Sequence, residues 1–295
     1  MSKIGFIGLG IMGKPMAKNL AAAKYDLVVY DVMKEPVKEL VAAGAMEANS
    51  PKAVAEQADV IIIMLPNSPH VKDVILGKDG IIDGCRKGQI VVDMSSIAPL
   101  VTRELAAKLA EKGVDMLDAP VSGGQEKAEK ATLAIMVGGQ ESVFEKVKPI
   151  LEKLGASITL VDDIGAGQVA KLVNQTIVAI NIAAVAEGMS LAEKVGVDPR
   201  RVFEAIRKGL AGSQCLEDKA PRMFEARYEP GFRINLHIKD LNNVLETSRE
   251  LHHSMPLSAQ LMEMMQNLAN DGHEALDHGA LALYYEKMNS ISLKK

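Results

Sequence analysis

The stretch Ile4-Gly-Phe-Ile-Gly8-Leu-Gly10-Ile-Met-Gly13 decides the fold of this 295-residue chain. A short apolar run predicts a buried β-strand, the glycines match the GxGxxG pattern, and helical periodicity follows near residues 12–23. The first glycine permits a tight turn, the second lets a pyrophosphate approach, and the third lets helix and strand pack closely. The helix N-terminus adds N–H donors and a favourable dipole. The stretch predicts a dinucleotide site with contacts from Gly8, Gly10, Ile11, Met12 and Gly13, and the alternative is a glycine-rich turn without a ligand.

Asp31 lies where a cofactor-selecting carboxylate is expected. It follows the last glycine by 18 positions and ends the second predicted strand, Leu27–Tyr30. A carboxylate there accepts hydrogen bonds from the adenosine ribose and repels a 2′-phosphate. NAD is therefore the expected cofactor, and nearby Lys34 keeps NADP possible.

The order of apolar and helical segments predicts the architecture. Apolar strands alternate with helices in the first half, which is typical of a parallel sheet covered on both faces. Only helical periodicity follows. We therefore predict an α/β fold: a Rossmann-like, doubly wound, mostly parallel sheet over residues 1–163, then an all-α domain over residues 164–295. The predicted strands are near residues 3–7, 27–30, 60–65, 90–93, 114–117, 133–137 and 158–161, and the later helices near 168–195, 200–208, 238–252 and 257–270.

Three further loops follow predicted strands, at the edge where open α/β sheets bind ligands. The loop Asp118-Ala-Pro-Val-Ser122-Gly123-Gly124 can offer a hydroxyl and backbone N–H groups to an anion. Taken alone, a Gly-Gly turn with a serine cap is the better interpretation of that loop. The other two loops supply candidates for contacts to ribose or nicotinamide, although plain turns are an equal alternative. These candidates are Leu65, Pro66, Asn67 and Ser95.

Lys171 lies near the start of an apolar helical segment. Asn174 and Gln175 follow at i+3 and i+4, so they project from the same helix face. A lysine among apolar residues must be paired, reach water or face a polar site. From this segment alone, a pocket and a solvent-reaching lysine are equally good interpretations.

Composition excludes several classes of function. The net charge is −4, aromatic residues make up 3% and tryptophan is absent, so nothing indicates a nucleic-acid partner. We recognise no signal-peptide pattern and no apolar run approaching about 20 residues, so a cytoplasmic protein without a membrane span is expected. The cysteines Cys85 and Cys215 form no framework, and the six histidines form no metal-binding pattern. His273 and His278 are expected at the surface.

Together these motifs resemble the β-hydroxyacid dehydrogenase family. The resemblance covers the whole chain and rests on four motifs in order: residues 8–20, residues 118–124, residues 165–174 and Lys239-Asp240-Leu241. The narrower resemblance is to the tartronate semialdehyde branch of that family. It is carried by Met64-Leu-Pro-Asn-Ser-Pro-His-Val-Lys72, by Gly209-Leu-Ala-Gly-Ser213 and by Pro230-Gly-Phe-Arg-Ile-Asn-Leu-His-Ile-Lys-Asp240.

The resemblance implies a function and a set of site residues. The chain would use NAD, or NADP, to reduce a small aldehyde that bears a carboxylate, with Lys171 as general acid and base at a cleft between two domains. The second amide after Lys171 departs from the Asn-Asn of many relatives, and which amide orients the substrate stays open. A homo-oligomer, a tetramer, is also implied. The implied catalytic residues are Lys171, Asn174 and Gln175, and the implied substrate-binding residues are Ser122, Gly123, Gly124, Ser213 and Lys239, the last also near the nicotinamide.

Two alternatives remain at this point. A 3-hydroxyisobutyrate dehydrogenase or another short 3-hydroxyacid dehydrogenase would need a different pocket around residues 209–213. A 6-phosphogluconate enzyme is disfavoured because it needs a longer chain. A non-catalytic NAD-binding sensor or scaffold is the alternative from another class, although such a protein would be expected to lose the polar face of Lys171 and Asn174. NADH oxidation with small aldehydes distinguishes them.

Overall fold

The computed structural model describes residues 3–294 and divides into two compact units. The first ends at Lys171 and is an α/β unit, and the second begins at Leu172 and is helical. The predicted fold class is therefore confirmed. The predicted domain boundary at residue 163 falls shortly before the first turn of a long helix, and that turn is grouped with the first unit.

The first unit is built on strands whose side chains are almost all buried. Ile4–Ile7 and Val60–Ile63 have every residue buried, as expected for parallel strands covered on both faces. The strands are β1 (Ile4–Ile7), β2 (Leu27–Tyr30), β3 (Met46–Glu47), β4 (Val60–Ile63), β5 (Ile90–Asp93), β6 (Asp115–Asp118), β7 (Val121–Ser122), β8 (Leu133–Gly138) and β9 (Gly155–Asp162).

Helices of the first unit bury one face against this sheet. In α1, for example, Met16, Ala17 and Leu20 are buried, which is the i, i+1, i+4 spacing of a helix packed on one side. The helices are α1 (Gly13–Ala22), α2 (Lys34–Ala42), α3 (Pro51–Ala55), α4 (Ser68–Leu76), α5 (Ile81–Gly84), α6 (Pro99–Ala110), α7 (Gly124–Glu129) and α8 (Glu141–Leu151).

The sheet order places the site. In the described residues the strands run β3-β2-β1-β4-β5-β6-β8-β7, with β9 paired to β8. The order reverses between β1 and β4, which is where open α/β sheets bind ligands. The parallel register aligns Ile7 with Tyr30 and with Ile63, and aligns Asp93 with both Ile63 and Asp118. The loops after these five strands therefore leave the sheet at one edge.

The far side of the sheet departs from a purely parallel arrangement. Strand β8 is antiparallel to β6 and β7, and parallel to β9. The two-residue strands β3 and β7 and the helices α3, α4, α5 and α7 were not predicted. Segments of two to nine residues carry too few turns of periodicity to be recognised from sequence.

The second unit has its own hydrophobic core. That core is formed by residues such as Ile182, Met189, Phe224, Leu241 and Met265. The helices are α9 (Ala166–Lys194), which begins in the first unit, α10 (Pro199–Ile206), α11 (Gln214–Glu225), α12 (Ile234–Glu250), α13 (Pro256–Asn270) and α14 (Ala282–Asn289), with a 3₁₀ turn at His278–Leu281. Helices α11 and α14 were not predicted.

Helix α9 comes closer to a membrane span than the sequence interpretation expected. By length and hydropathy alone it is the one helix among residues 3–294 that could cross a membrane. A core helix of a globular protein meets the same test. Lys171, Asn174 and Gln175 interrupt its apolar sequence.

Candidate active site

The glycine loop after β1 has the geometry that a pyrophosphate requires. Gly8 has a φ of +95°, and a Cβ there would overlap the carbonyl oxygen of Met64. A Cβ at Gly13 would overlap the carbonyl oxygen of Gly8, whereas a Cβ at Gly10 would have no heavy atom within 4 Å. The outer glycines are therefore required by packing, and the middle one leaves open space. No side chain caps the N-terminus of α1 in this described segment, so the residues present fit a bound phosphate group.

Asp31 is fixed beside that loop. Its Oδ2 accepts a hydrogen bond from the backbone N–H of Leu9 at 2.5 Å, and its Oδ1 accepts one from Met33 at 2.7 Å. The carboxylate is therefore held at the end of β2, next to the expected pyrophosphate position. Lys34 Nζ lies 2.9 Å from Glu47 Oε1, so this lysine is engaged by an acidic partner. Both features favour an unphosphorylated ribose at Asp31.

The loops after β4 and β5 support each other. The Ser95 hydroxyl accepts a hydrogen bond from the N–H of Leu65 at 2.9 Å, and Ser95 is fully buried. Ser95 thereby supports the β4 loop, and its direct contact to the cofactor stays a prediction. Asn67 caps α4 by accepting from the N–H of His70 at 3.4 Å. Pro66 lies between Leu65 and Asn67, which are both held by hydrogen bonds.

Asp118 anchors the helix that carries Lys171. It is fully buried, its Oδ1 accepts from the N–H of Gly165 and its Oδ2 from the N–H of Gln168, both at 2.7 Å. The Gln168 side chain donates to the carbonyl of Ser95 at 2.7 Å and accepts from the N–H of Ile97 at 3.1 Å. These bonds fix the first turn of α9 to β5 and β6. Sequence reasoning assigned no role to Asp118 or Gln168.

Burial also changes the acidity of Asp118. Desolvation raises the pKa of its carboxyl group, and the hydrogen bonds from Gly165 and Gln168 oppose that effect. The charged form accepts from both backbone groups with no hydroxyl hydrogen left to satisfy. Lys171 follows Gln168 by one helical turn and is only 6% exposed.

The predicted anion loop forms β7 and the start of α7. Ser122 is half-buried and pairs with Ala134 of β8. Gly123 has a φ of +139°, and a Cβ there would lie 2.6 Å from Lys127 Cδ. In the described chain no side chain caps α7, so Ser122 does not act as the cap of the alternative interpretation. Gly124 begins α7.

In the second unit, polar residues of α9 and α12 are joined. Asn174 Nδ2 donates to Gln175 Oε1 at 2.8 Å, and Gln175 Nε2 donates to Asp240 Oδ2 at 2.6 Å. Lys239 Nζ lies 2.8 Å from Asp240 Oδ1. The Lys239 side chain is 24% exposed and that of Asp240 only 3%. Lys239 is thus an ion-paired residue rather than a freely solvated lysine.

The Gly209–Ser213 loop has a structural role that is visible in the second unit. The Ser213 hydroxyl caps α11 by accepting from the N–H of Leu216 at 3.0 Å. A Cβ at Gly212 would overlap the carbonyl oxygen of Arg207. Leu210, at the tip, is fully exposed. The fold therefore accounts for Ser213 as a helix cap, and its substrate contact stays a prediction.

A buried pair of histidines contacts Gln175 and was not predicted from the sequence. His237 and His278 are 0% and 7% exposed, and their Nδ1 atoms are 2.9 Å apart. The prediction that His278 lies at the surface is wrong, because the chain turns inward at Asp277. His237 Nε2 lies 3.3 Å from the Gln175 carbonyl oxygen. Burial, followed by the charges of His237 and Lys219, lowers the pKa of His278 well below its usual value.

Asp277 and Lys219 complete this interior cluster. Lys219 Nζ lies 2.9 Å from Asp277 Oδ1, and Asp277 Oδ2 accepts from the N–H groups of Gly231 and Phe232. Burial would raise the pKa of the Asp277 carboxyl, but neighbouring positive charge and N–H donors outweigh burial and lower it. No local pattern in the sequence signals this pair, since 58 positions separate its members. Residues 3–294 contain no group of three His, Cys, Asp or Glu side chains that could hold a metal.

The chain matches two domain families in succession. Residues 3–162 match the family described as the NAD binding domain of 6-phosphogluconate dehydrogenase. Residues 165–285 match the family described as NAD-binding of NADP-dependent 3-hydroxyisobutyrate dehydrogenase. The predicted cofactor, NAD with NADP possible, is confirmed.

Similar proteins span the whole chain. 2-Hydroxy-3-oxopropionate reductase from Escherichia coli (strain K12) is 47% identical, over 99% of both chains. NAD-dependent L-serine dehydrogenase from Pseudomonas aeruginosa is 36% identical, over 97% of this chain and 98% of the relative. A structure of Mycobacterium tuberculosis 3-hydroxyisobutyrate dehydrogenase with L-serine is 31% identical, covers 96% of this chain and 98% of that chain, and has a TM-score of 0.89.

Proposed function

We propose that this chain, which belongs to the β-hydroxyacid dehydrogenase family of NAD(P)-dependent oxidoreductases, reduces tartronate semialdehyde (2-hydroxy-3-oxopropionate) reversibly to D-glycerate. The observation that carries the proposal is the 47% identity, over 99% of both chains, to a relative named for this reaction. Amide side chains and an ion-paired lysine suit a small substrate that bears a hydroxyl and a carboxylate.

Lys171 is the proposed general acid. NADH, when bound, supplies a hydride to the carbonyl carbon of the aldehyde. The Lys171 ammonium gives one proton from Nζ to the carbonyl oxygen, which becomes the new hydroxyl, and the neutral amine takes the proton back in the reverse direction. Such proton transfer typically contributes about 10²–10⁴-fold to the rate. Asp118 and Gln168 fix the helix turn before Lys171, which limits the positions its ammonium can occupy.

The remaining roles divide between substrate and cofactor. We assign the substrate carboxylate to the Ser122 hydroxyl and to the backbone N–H groups of Gly123 and Gly124. Gly123 is exposed and has a φ of +139°, which supports this assignment. Lys239 is assigned to neutralise charge near substrate and nicotinamide.

We assign the cofactor to the glycine loop and to the strand ends beside it. The open space at the middle glycine and the fixed Asp31 carboxylate support the contacts to pyrophosphate and ribose. The residues assigned to cofactor are Gly8, Gly10, Ile11, Met12, Gly13, Asp31, Leu65, Pro66 and Asn67.

A second candidate is oxidation of another short 3-hydroxyacid. Relatives named L-serine dehydrogenase and 3-hydroxyisobutyrate dehydrogenase, each 36% identical, favour it. The test is NADH oxidation followed by absorbance, with tartronate, methylmalonate and succinic semialdehydes offered in turn. We expect kcat/KM to be about tenfold or more higher for tartronate semialdehyde than for the other two. A preference for methylmalonate semialdehyde supports the second candidate, and no oxidation with any aldehyde supports a non-catalytic NAD-binding protein.

We also propose a cytoplasmic homotetramer. Helix α9 exposes apolar side chains in the second unit, including Val173, Ile177 and Leu191, which are 53%, 54% and 65% exposed. Exposed apolar residues on one helix are typical of subunit contacts. Light scattering should give about four times the chain mass of 31.7 kDa, and the single-chain mass contradicts the proposal.

A further inference from the structure

The two amides after Lys171 are not equivalent. Gln175 is 5% exposed, and both ends of its amide bind other side chains: Oε1 accepts from Asn174, and Nε2 donates to Asp240. The backbone carbonyl oxygen of Gln175 also lies 3.3 Å from His237 Nε2. His237 and Asp240 both belong to α12, so residue 175 is joined to that helix by its side chain and by its main chain. Such a residue is placed to hold other groups in position.

The direction of each hydrogen bond is fixed by Asp240. A carboxylate only accepts, so the Gln175 nitrogen must face Asp240 and the Gln175 oxygen must face Asn174. The Asn174 nitrogen then has to donate to Gln175, which directs the Asn174 oxygen away from it. The charge on one α12 residue thereby determines which atom Asn174 presents on the helix face of Lys171.

Asp240 holds a second group with its other oxygen. Its Oδ1 lies 2.8 Å from Lys239 Nζ, while its Oδ2 accepts from Gln175. The side chain is only 3% exposed, so water competes little for either oxygen. The same carboxylate therefore fixes the direction of an amide on α9 and forms an ion pair with an ammonium on α12.

We propose that Gln175 and Asp240 are positioning residues, and that Asn174 is the amide that contacts the substrate. Asp240 orients Asn174 through Gln175 and orients Lys239 directly. The inference rests on the proposed function, since it assigns these residues to the site that reduces the aldehyde. It also predicts a length requirement, because glutamine reaches Asp240 and asparagine at position 175 would be one methylene shorter.

Side-chain length gives the test. Gln175→Asn shortens the reach by about 1.3 Å, one projected carbon–carbon bond, which stretches the 2.6 Å bond to Asp240 beyond hydrogen-bonding distance. Asp240→Glu adds the same length from the other side. We expect each single variant to lower kcat about tenfold, with the Kd for NADH unchanged. The double variant should recover to within about threefold of the parent enzyme, whereas independent effects would give about a hundredfold loss.

Gln89→Asn is the matched control. Gln89 is 2% exposed, donates to the carbonyls of Ala55 and Ala58, and lies outside the proposed site. Shortening it should lower the melting temperature and leave kcat unchanged. If Gln175→Asn behaves in the same way, its role is only structural and the proposal is overturned.

Two further outcomes are decisive. Asp240→Asn keeps an acceptor for Gln175 but removes the charge beside Lys239. We expect its kcat to be about tenfold lower, as for Gln175→Asn. This variant gives the test even if Gln175→Asn fails to fold. Unchanged kcat in Asp240→Asn, or strictly additive effects in the double variant, contradicts the inference without bearing on the proposed reaction. No turnover by the parent enzyme with any of the three semialdehydes overturns the proposed function, and the inference with it.

Discussion

Replacing Asp118 by alanine should release the first turn of α9. The carboxylate is fully buried and accepts from two backbone N–H groups, those of Gly165 and Gln168, at 2.7 Å each. An unsatisfied buried donor costs about 1–3 kcal/mol, so Asp118→Ala should cost about 2–6 kcal/mol. Total stabilities of about 5–15 kcal/mol make this a large share. The first turn of α9 should unfold before the rest of the unit, because the substitution leaves the other contacts of the sheet unchanged.

Amide hydrogen exchange measures this effect where it occurs. In Asp118→Ala the protection of the Gly165 and Gln168 amides should fall strongly, and kcat should fall with it because Lys171 follows on the same helix. Asp115→Ala, on the same strand but half-buried, is the control and should change stability by about 0.5 kcal/mol or less. Unchanged protection at Gly165 and Gln168 in Asp118→Ala would refute the anchoring role.

The pH dependence of stability gives a second readout at the same residue. Burial raises the pKa of the Asp118 carboxyl above its unfolded value. Such a group stabilises the fold at low pH and loses that contribution as the pH rises through the folded pKa. Relative to Asp118→Asn, which does not titrate, the parent protein should therefore lose stability as the pH rises from about 4. A stability difference that is flat with pH contradicts this.

Other substitutions test the cofactor site and the buried histidines. Gly10→Ala should fold normally but raise the Kd for NADH more than about tenfold, because a Cβ there meets no protein atom and enters the space expected for the ligand. Gly13→Ala should lower the melting temperature, because its Cβ would overlap the carbonyl oxygen of Gly8. Asp31→Ser should shift the ratio of NADH to NADPH affinity towards NADPH, measured by fluorescence titration, and an unchanged ratio excludes the ribose role. Because the pKa of His278 is lowered in the folded protein, the unfolded chain takes up the proton at a higher pH. The free energy of unfolding should therefore fall as the pH drops below about 6.5. In urea titrations, His278→Gln should make this dependence on pH weaker.

Local patterns were sufficient for the main strands and the glycine loop of the dinucleotide unit. The glycine loop, the apolar strands and the family resemblance, which the comparisons confirm, all rest on residues close together in sequence. The parts that sequence reasoning missed depend on distant partners. Asp118 binds residues 47 and 50 positions away, and Gln175 binds Asp240 at a separation of 65. A polar residue gives no local sign of which buried partner it will meet, so these contacts required the structure.

The buried histidines also show that local sequence does not reveal which polar residues will be buried. His278 follows Asp277 in a stretch with glycine and other polar residues, which resembles a surface loop. Asp277 draws the chain inward by accepting from Lys219 and from backbone N–H groups, and His278 then meets His237. Ser95 is fully buried as well, and its hydroxyl accepts from the N–H of Leu65, which lies 30 positions away. Residue type alone did not reveal the burial of either side chain.

Lys171→Met is the measurement that tests the central claim most directly. Methionine keeps the length and the apolar stem of a residue that is 6% exposed, so the melting temperature and the Kd for NADH should stay close to those of the parent enzyme. We predict that kcat for tartronate semialdehyde falls by about 10²–10⁴-fold, because the proton donor is gone. Turnover at the parent rate with NADH binding intact would contradict the role of Lys171 as the general acid.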